Sequence, residues 1–411
     1  MLINERKRYD ILTFMSGKTE HRIISLAIAY LVSELNMTQD QVAKHLGLSQ
    51  SAVSRLLKQA KPYLVEQPPY RFNREMVDDP TMNLVLLKAT VKRLAPRLEA
   101  FARERGHPRG PALQVIQIPE VHPPEDFPHR FTAFTNQAAP LVRSLLMRDA
   151  VETCGVTWGF MLWDLSIGLR SLGLPAPWRP RRPIRFIPLT GDPLQDRKLY
   201  PPRLTSSSIS AEMSEIANHN DYQSPWLGLV PAYIPDRFQG VALKSIERLI
   251  HMVPEYEEIF GSKGRAGIAY ELDGILTSVG PATNPLGFGM GKLFASLGRR
   301  VKQVSDEIHG DIGGVLLPRN ADRPSALLRG IEHRWKGLKR EHLEACARRA
   351  FSEDSTHGRP GVIVLAVGED RAEVVLHAVD RGLINHLIID QRLERALDDL
   401  ITRSMANHIG G

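Results

Sequence analysis

Residues 38–58 read TQDQVAKHLGLSQSAVSRLLK, and this stretch decides the fold of the first part of the chain. Thr38 is a residue type that caps helices, and the glutamine three positions later can close a capping box at the start of a helix over 39–46. Gly47 then ends that helix at a residue that tolerates a positive φ, and Ser49 can cap a second helix. The stretch therefore predicts two short helices joined by a tight turn.

The second of these helices is predicted to continue through Ala60 and to carry two different faces. Apolar residues fall where the two helices must pack together, at Val42, Leu46, Leu48, Val53 and Leu56. The opposite face is polar, and its glutamine and arginine side chains can make bidentate contacts with base edges in the major groove of DNA. A solvated helical hairpin within a larger bundle is the alternative interpretation. The residues that we predict to contact DNA are Thr38, Gln39, Ser49, Gln50, Ser51, Ser54, Arg55 and Lys58.

The charge of the chain agrees with a nucleic-acid partner. The 411 residues have a formal net charge of +7. Residues 1–65 contain nine Lys and Arg against five Asp and Glu, which is a net charge of +4 in less than a sixth of the chain. Positive charge around a helix-turn-helix favours phosphate binding. We therefore predict that residues 1–65 form a DNA-binding domain.

Composition also limits the class of protein. A hydrophobic content of 43% is ample for the cores of two or three domains. Cys154 and Cys346 are too few and too far apart for a disulfide framework or a zinc site, and we expect no metal and no cofactor. No apolar stretch approaches the ~20 residues of a membrane span, and the N-terminus lacks the apolar core of a signal peptide. We expect a cytoplasmic protein with no membrane partner.

Helical periodicity continues on both sides of the motif. Residues 19–35 are predicted to form a helix that supports it. After a proline-containing linker, an apolar seam with spacings of three and four residues runs through Leu84, Leu87, Val91, Leu94, Leu98 and Phe101. Pro96 should kink this helix or start a new segment. The seam indicates either a dimerisation helix, within a linker and oligomerisation region over 66–106, or a helix that docks on its own domain.

From residue 107 onwards, the pattern changes to short apolar runs that alternate with helices. The predicted strands cover 112–118, 152–159, 183–191, 227–234, 273–280, 361–368 and 383–390. Predicted helices separate several of them, at 134–150, 206–218, 242–252 and 371–381. This alternation predicts an α/β domain over 107–411, with a mostly parallel sheet covered on both faces. We expect this domain to bind an effector and to contribute to oligomerisation.

Ligands of open α/β sheets bind beyond the carboxyl ends of the strands. Four loops at such ends are rich in glycine, hydroxyl or charged groups, at 155–159, 190–192, 278–283 and 368–371. Backbone N–H groups, hydroxyls and the fork of Arg371 suit an anion. Glu369 is expected either to contact sugar hydroxyls of the ligand or to interact favourably with a helix N-terminus. Trp158 is expected either to stack on the ligand or to pack in the core. The predicted effector-contacting residues in these loops are Gly155, Thr157, Trp158, Gly159, Gly191, Ser278, Gly280, Glu369 and Arg371.

From about residue 20 to its end, the sequence resembles the SorC-type family of bacterial transcriptional regulators, which are also called deoxyribonucleoside-regulator-like or sugar-binding regulators. The resemblance rests on MTQDQVAKHLGLSQSAVSRLLKQA in the helix-turn-helix and on GVTWG, SEIAN, LTSVG, GDIGG and VIVLAVGEDRAEVVLHAVDRGLINHLIID in the body. It implies a body that is similar to sugar-phosphate isomerase folds and that senses phosphorylated sugars or related metabolites. It also implies assembly as a homodimer or homotetramer, with Asp311, within GDIGG, as a further effector contact.

The sequence departs from the family pattern at two places in the expected pocket. Phe160 and Met161 stand where the family often has a small polar residue, and Arg371 stands where it often has lysine. The two apolar residues would narrow that corner, so we expect a ligand with an apolar portion, or no ligand. The arginine keeps the positive charge but changes its geometry.

Three functions follow from these patterns. The leading hypothesis is a transcription regulator that binds a palindromic double-stranded DNA operator and responds to a small anionic metabolite, such as a sugar phosphate. In the second, the body has lost ligand recognition and only oligomerises. The third is an isomerase-like enzyme in which Glu369, Asp311 or His386 acts as an acid–base group. No histidine–carboxylate spacing in the sequence demands catalysis, so we predict no enzymatic activity and no catalytic residues.

Overall fold

A computed structural model describes the chain at residues 17–33, 37–65, 71–72, 76–77, 82, 85, 94–118, 127–172, 182–192, 202–218, 224–228, 230–262, 264–282, 301–352 and 358–409. Contacts divide these residues into two compact units. The first lies within Met1–Lys92 and Val115–His122, and the second lies within Arg93–Gln114 and Pro123–Gly411.

The described residues of the first unit form three α-helices and a short antiparallel strand pair. Its elements are α1 (Gly17–Ser33), α2 (Gln39–Leu46), α3 (Gln50–Gln59), β1 (Leu64–Val65) and β2 (Arg71–Phe72). Helical spacing brings apolar side chains of all three helices into one core, which contains the buried Ile23, Leu26, Leu31, Val42, Val53 and Leu56. The two predicted helices of the motif are present, and the second ends at Gln59 with Ala60 as its C-cap.

The second unit alternates helices and strands, as the sequence pattern predicts. Its helices are α4 (Ala95–Glu104), α5 (Phe127–Leu146), α6 (Phe160–Ser171), α7 (Ser206–Asn218), α8 (Gly240–His251), α9 (Pro254–Phe260), α10 (Val301–Glu307), α11 (Ala326–Arg334), α12 (Arg340–Phe351), α13 (Ala372–Asp380) and α14 (Gln391–Ile409). Its strands are β3 (Ala112–Ile116), whose last two residues fall in the range of the first unit, β4 (Thr153–Val156), β5 (Arg185–Pro188), β6 (Gly261–Ser262), β7 (Arg265–Ala266), β8 (Gly274–Pro281), β9 (Ile308–Ile312), β10 (Val315–Pro318), β11 (Gly361–Ala366) and β12 (His386–Asp390).

Eight strands form one large sheet, and β6 and β7 form a separate antiparallel pair. The order in the large sheet is β10–β9–β8–β11–β12–β3, with β4 paired to β8 and β5 paired to β4. The pairs β5–β4, β4–β8, β8–β11 and β11–β12 are parallel, whereas β9 is antiparallel to β8 and to β10. The predicted fold class, a helical head followed by an α/β domain with a mostly parallel sheet, is confirmed.

The centre of the sheet is apolar on both faces because helices cover it. All residues of β11 are buried, which explains its uninterrupted apolar sequence GVIVLA. Helix α12 packs on β11, and α13 packs on β8 and β9. Gly382 ends the turn after α13 with φ +63°, as expected for a residue just beyond a helix C-terminus.

One predicted strand is absent from the described part of the body. Residues 227–234 make only isolated bridges, between Asp192 and Pro231 and between Tyr233 and Trp335. Pro231 has no backbone N–H to donate to a strand ladder, which accounts for the difference from the apolar pattern. Conversely, the structure contains elements that the sequence analysis did not predict: the β9–β10 hairpin and several helices of the body, which had no distinct periodic pattern.

The described part of the apolar seam packs within its own unit. Helix α4 begins at Ala95 with Pro96 in its first turn, so the proline starts a new segment. Leu94, Leu98 and Phe101 are buried, and α4 packs on α13 and α14. These three residues therefore pack as expected for a helix that docks on its own domain. Leu84, Leu87 and Val91 lie outside the described residues.

Cys154 and Cys346 are free thiols that are both buried. Burial raises the pKa of the Cys346 thiol to about 12, and it raises the pKa of Cys154 as well. Within the described ranges, no helix is both long enough and apolar enough to span a membrane.

Candidate functional sites

Side-chain caps fix the helix-turn-helix in place. The Thr38 hydroxyl accepts a hydrogen bond from the backbone N–H of Gln41 at 3.2 Å, and the Gln41 side chain accepts one from the N–H of Thr38 at 2.9 Å. Gly47 ends α2 with φ +66°, and its N–H donates to the carbonyl of Ala43. The Ser49 hydroxyl accepts from the N–H of Ala52 at 3.2 Å. The capping box, the glycine turn and the second cap are therefore all as the sequence predicts.

Helix α3 presents a polar face that is separate from its buried face. Val53 and Leu56 are buried in the core of the first unit. Gln50, Ser51, Arg55 and Lys58 are exposed, and Ser54 is half-buried between them. Thr38 and Ser49 are exposed at the helix starts, and Gln39 is half-buried. Of the eight sequence-predicted DNA-contacting residues, six are therefore exposed and two, Gln39 and Ser54, are half-buried.

At the carboxyl end of β4, the chain meets β8 through two threonines. The Thr157 hydroxyl donates to the Thr277 hydroxyl at 3.1 Å, and the Thr157 N–H donates to the carbonyl of Leu276 at 3.1 Å. Both threonines are fully buried. The sequence analysis named Thr157 but missed Thr277, because only the pairing of β4 with β8 reveals that the two hydroxyls meet.

The turn of the β9–β10 hairpin lies against these threonines. Gly313 and Gly314 have φ angles of +59° and +92°, as a two-residue hairpin turn with positive φ at both positions requires. The Gly313 N–H donates to the carbonyl of Ser278 at 3.1 Å. A Cβ atom at Gly313 would lie 2.6 Å from the Thr277 hydroxyl and 2.7 Å from the Thr157 methyl group, so only glycine allows this approach.

Asp311 connects the hairpin to the loop after β11. Its carboxylate accepts a hydrogen bond from the Gly314 N–H at 2.9 Å and fills the space beside Gly280. Burial raises the pKa of Asp311 to about 7, although the Gly314 N–H and the charge of Arg371 act in the opposite direction. The Arg371 guanidinium uses Nη1 to bond the Val367 carbonyl at 2.6 Å and Asp370 at 2.7 Å.

The structure therefore brings five of the predicted effector-contacting residues into one contiguous set: Thr157, Ser278, Gly280, Asp311 and Arg371. We call this the β8 set. It combines hydroxyls, a carboxyl group of raised pKa and a guanidinium at the carboxyl ends of parallel strands.

Three of the other predicted residues have local structural roles. Gly155 lies inside β4 rather than in a loop, where a Cβ would collide with Leu189 and lie 2.8 Å from Leu272. Gly159 starts α6 with φ +110°, and its N–H donates to the Leu204 carbonyl at 3.0 Å. Trp158 is 5% exposed and packs with its ring centroid 5.9 Å from that of Trp335. Of the two alternatives for Trp158, core packing therefore describes its position.

Phe160 and Met161 also turn towards apolar surroundings. Met161 is 5% exposed, and Phe160 packs against the apolar cluster that contains Trp158 and Trp335. Both residues belong to the first turn of α6. They contribute to the core beneath the first loop.

The loop after β5 carries buried polar atoms on both sides of a glycine. Gly191 lies against Val230, where a Cβ would collide with the Val230 carbonyl oxygen. On either side of it, the Thr190 hydroxyl and one Asp192 carboxylate oxygen are buried and have no hydrogen-bond partner among the described residues, which stop at Asp192 and resume at Pro202. Burial raises the pKa of Asp192 to about 6. The sequence analysis identified this polar loop and named Gly191 as the contact. The structure shows that the candidate ligand-binding groups are instead the side chains of Thr190 and Asp192.

The last predicted residue is Glu369, which is exposed at the start of a 3-10 turn over Glu369–Arg371. The turn leads directly into α13. This placement puts its carboxylate near a helix N-terminus, where the helix dipole favours a negative charge.

Comparison with known proteins places this architecture among solved structures. The chain aligns with a DeoR family transcriptional regulator from Listeria monocytogenes over 74% of its own length and all of that chain, with a TM-score of 0.51 and 16% sequence identity. The chain has the fold of that regulator. This agrees with the fold that the resemblance in the sequence implies, and at 16% identity the likeness is one of fold.

Two further solved structures are similar. The full-length sorbitol operon regulator SorC from Klebsiella pneumoniae aligns over 93% of this chain and 99% of its own, with 18% identity and a TM-score of 0.46. A transcriptional regulator from Streptococcus pneumoniae aligns over 74% of this chain and 97% of its own, with 16% identity and a TM-score of 0.47. No family model matches the sequence, and no curated protein matches it.

Proposed function

We propose that this protein is a sequence-specific transcription regulator that binds double-stranded DNA. The observation that carries the proposal is the exposed polar face of α3, held by two capped helices and backed by the buried Val53 and Leu56. Gln50 and Arg55 are residue types that read base edges in the major groove, and Lys58 suits a phosphate.

The charge of the head supports the same proposal. Arg55 and Lys58 on α3, Lys44 on α2 and Lys61 after α3 are all exposed. Neutralising several phosphates with such side chains provides most of the affinity for non-specific DNA and makes binding depend on salt.

The experiment selects binding sequences from a random double-stranded library and then measures affinity by fluorescence anisotropy. We expect a preferred, palindromic sequence and tenfold or greater preference over a scrambled duplex. The double variant Q50A/R55A should lose that preference, whereas R265A, which removes an exposed arginine from the second unit, should keep it. Equal binding of all sequences by the wild-type protein would contradict the proposal.

We further propose that the second unit binds a small anionic metabolite of the sugar-phosphate type. The β8 set supports an anion, since Arg371 uses only Nη1 for its bonds to Val367 and Asp370 among the described residues. The Thr190 hydroxyl and the Asp192 carboxylate oxygen, which lack a partner within the described part of the chain, support hydroxyls on the ligand, because buried polar atoms usually have a partner. Both features lie at carboxyl ends of neighbouring parallel strands, where α/β sheets bind ligands.

The positions of the candidate acid–base residues favour sensing over catalysis. His386 begins β12 and pairs with Ile363 near the start of β11, so it lies towards the amino ends of these parallel strands. Glu369 follows the carboxyl end of β11, and Asp311 pairs with Gly280 near the end of β8. Burial lowers the pKa of His386 to about 3, so its imidazole stays neutral within the core. His386 therefore lies towards the opposite end of the strands from Glu369 and Asp311.

A thermal-shift screen with sugar phosphates, combined with an assay for consumption of each compound, separates the three hypotheses. A compound that stabilises the protein and is not consumed supports an effector. Consumption would support an isomerase-like enzyme instead. If no compound in a broad panel stabilises the protein or is consumed, the result would favour a body that only oligomerises.

A further inference from the structure

Three side chains from β9 and α13 converge outside the β8 set. His309 Nδ1 lies 2.8 Å from Glu373 Oε1. The His309 and His377 rings stack with their centroids 3.3 Å apart and their planes inclined by 13°. One potential ligand atom from each of the three residues lies within 4.8 Å of the others. We call these residues the His–Glu–His cluster.

The fold holds this cluster on two rigid elements. Glu373 and His377 are four residues apart on α13, so their side chains lie on the same side of the helix. His309 comes from β9, on which α13 packs. Its side chain is 8% exposed, whereas Glu373 and His377 are half-buried. One edge of the cluster is therefore open to ions from solvent while the other is fixed in the core.

We propose that His309, Glu373 and His377 bind a divalent transition-metal ion, for which Zn²⁺ is the best match. Two imidazole nitrogens and one carboxylate oxygen are ligands that Zn²⁺ prefers, and three protein ligands leave a fourth position for water or a small ligand. Metal–ligand bonds of about 2.0–2.2 Å in a tetrahedron put ligand atoms roughly 3.3 Å apart. The three atoms lie within 4.8 Å of one another, so binding requires the side chains to draw together, and the two stacked rings must tilt apart so that one nitrogen of each points at the ion.

The protonation states of the cluster are those that a metal requires. Burial lowers the pKa of His309, and burial together with His309 lowers the pKa of His377 to about 4, so both rings are neutral. Burial alone would raise the pKa of Glu373, but hydrogen bonds from Arg319 and His309 lower it, so the group is a carboxylate. Neutral imidazole and ionised carboxylate are the metal-binding forms, and no proton has to be removed first.

Arg319 is the competitor for this site. Its guanidinium donates to the Glu373 carboxylate, and its Nη1 also lies 3.2 Å from His309 Nδ1, the nitrogen that itself donates to Glu373. It therefore supplies positive charge at the position that a cation would take. The Arg319 side chain is 40% exposed, which leaves it room to swing into solvent when a metal binds. Arg381 is a second positive charge that acts on His309.

The alternative to a metal site is an ion-pair network that only stabilises the fold. The two interpretations differ in what the loss of Arg319 does. In an ion-pair network, R319A removes a partner of Glu373 and does not increase the affinity for a metal ion. In a metal site, R319A removes the competing cation and tightens metal binding.

The test uses the full chain without a histidine tag, freed of metal with a chelator and titrated with Zn²⁺ against a chromophoric chelator. We expect one Zn²⁺ per chain for the wild-type protein. E373Q and H377Q should each weaken binding at least tenfold, because each removes one of three ligands, and R319A should tighten it severalfold. H333Q is the matched control, since His333 is an exposed histidine near a glutamate outside the cluster, and it should bind as the wild type does.

Co²⁺ provides a second readout, because its visible absorption reports ligand geometry directly, and circular dichroism checks that each variant is folded. We expect a Co²⁺ spectrum of low coordination number that H377Q alters. The proposal is overturned if the folded wild type binds no Zn²⁺ in a one-to-one ratio, or if E373Q and H377Q bind it as tightly as the wild type. It is also overturned if R319A fails to tighten binding. If E373Q or H377Q does not fold, the wild-type ratio and R319A still decide.

Discussion

Gly280 and Asp311 are paired across β8 and β9, and the Asp311 carboxylate occupies the space that a Cβ atom at Gly280 would need. Strand β8 can approach the hairpin this closely only with glycine at that position. The contact holds the Asp311 carboxylate beside the end of β8, where the charge of Arg371 acts on it.

The first prediction concerns this contact. Gly280→Ala should destabilise the folded protein by about 1–3 kcal/mol, because the added methyl group must displace a packed side chain or shift the strand. Thermal unfolding followed by circular dichroism measures the change. Gly330→Ala is the matched control, since Gly330 is exposed in α11 with nothing near the added methyl group. It should be neutral or stabilise by up to ~1 kcal/mol. Equal stability of the two variants would contradict the account of the Gly280 contact.

The second prediction separates base contacts from phosphate contacts on α3. Arg55→Ala should cost about 1–3 kcal/mol of affinity at the preferred sequence if Arg55 reads a guanine. Lys58→Ala should weaken binding to preferred and scrambled duplexes by a similar factor and make the salt dependence shallower. Anisotropy titrations at several salt concentrations measure both effects. If Arg55→Ala and Gln50→Ala together leave operator affinity unchanged, α3 does not read the bases.

The third prediction is that the protein is a homodimer or homotetramer. One helix-turn-helix contacts few base pairs, so useful specificity needs two heads on a palindromic site. L87D/V91D, which changes the part of the seam outside the described residues, should lower the oligomer size in analytical ultracentrifugation and weaken operator binding. By contrast, Leu98→Ala should leave assembly intact and lower the stability of the second unit by about 2–5 kcal/mol, because Leu98 is fully buried there. A wild-type protein that is monomeric at micromolar concentration and on DNA would refute this prediction.

The fourth prediction is a pH dependence of anion binding that depends on Asp311. Its pKa of about 7 lies above the ordinary value of roughly 3.9, so the folded protein keeps a proton between these values that the unfolded chain has lost. The raised pKa contributes to the stability of the folded protein at low pH, and this contribution is lost as the pH rises through 7. Above that pH the new carboxylate faces Arg371 and opposes an incoming anion.

A sugar sulfate is a suitable probe for this effect because its charge is constant across the range. Its affinity, measured by calorimetry, should fall several-fold from pH 6 to pH 8 for the wild-type protein. Asp311→Asn, which cannot ionise, should show a flat profile. A wild-type profile that is equally flat would argue against Asp311 as the titrating group.

The fifth prediction is that Arg371 carries the effector response. Arg371→Ala should abolish the effect of a bound metabolite on operator affinity, while the affinity of the ligand-free protein for DNA stays the same. Coupling between two such sites is typically ~1–3 kcal/mol, which changes operator affinity about 5- to 150-fold. Titrating the metabolite against a fixed protein–operator complex measures the coupling. If the variant responds as the wild type does, the Arg371 guanidinium has only a structural role.

Local signals made the head predictable from the sequence. Thr38, Gly47 and Ser49 act within four residues of their own positions, so their capping and turn roles could be deduced without a fold. The strand–helix alternation likewise predicted the sheet, since buried parallel strands such as β11 are short uninterrupted apolar runs. The exception, residues 227–234, is an apolar run interrupted by a proline.

Non-local pairing explains what the sequence could not reveal. The bond between Thr157 and Thr277 spans 120 residues, and Gly155 lies inside a strand because β4 pairs with both β5 and β8. The His–Glu–His cluster had no recognisable motif for the same reason. Glu373 and His377 form an ordinary helical pair, and the residue that completes the cluster lies 64 positions before Glu373 on a strand that had no clear pattern. The expectation of no metal site considered only the cysteines.

The two cysteines have a practical consequence for following the motions of this protein. Both thiols are buried, and burial raises the pKa of each, so neither is an accessible thiolate near neutral pH. Maleimide reagents attack the thiolate and need access to it. A single cysteine introduced at the exposed Asp322, in the connection that follows the β9–β10 hairpin, would therefore take a fluorophore selectively without removal of either native cysteine. Such a label would report hairpin movement in an otherwise unaltered protein.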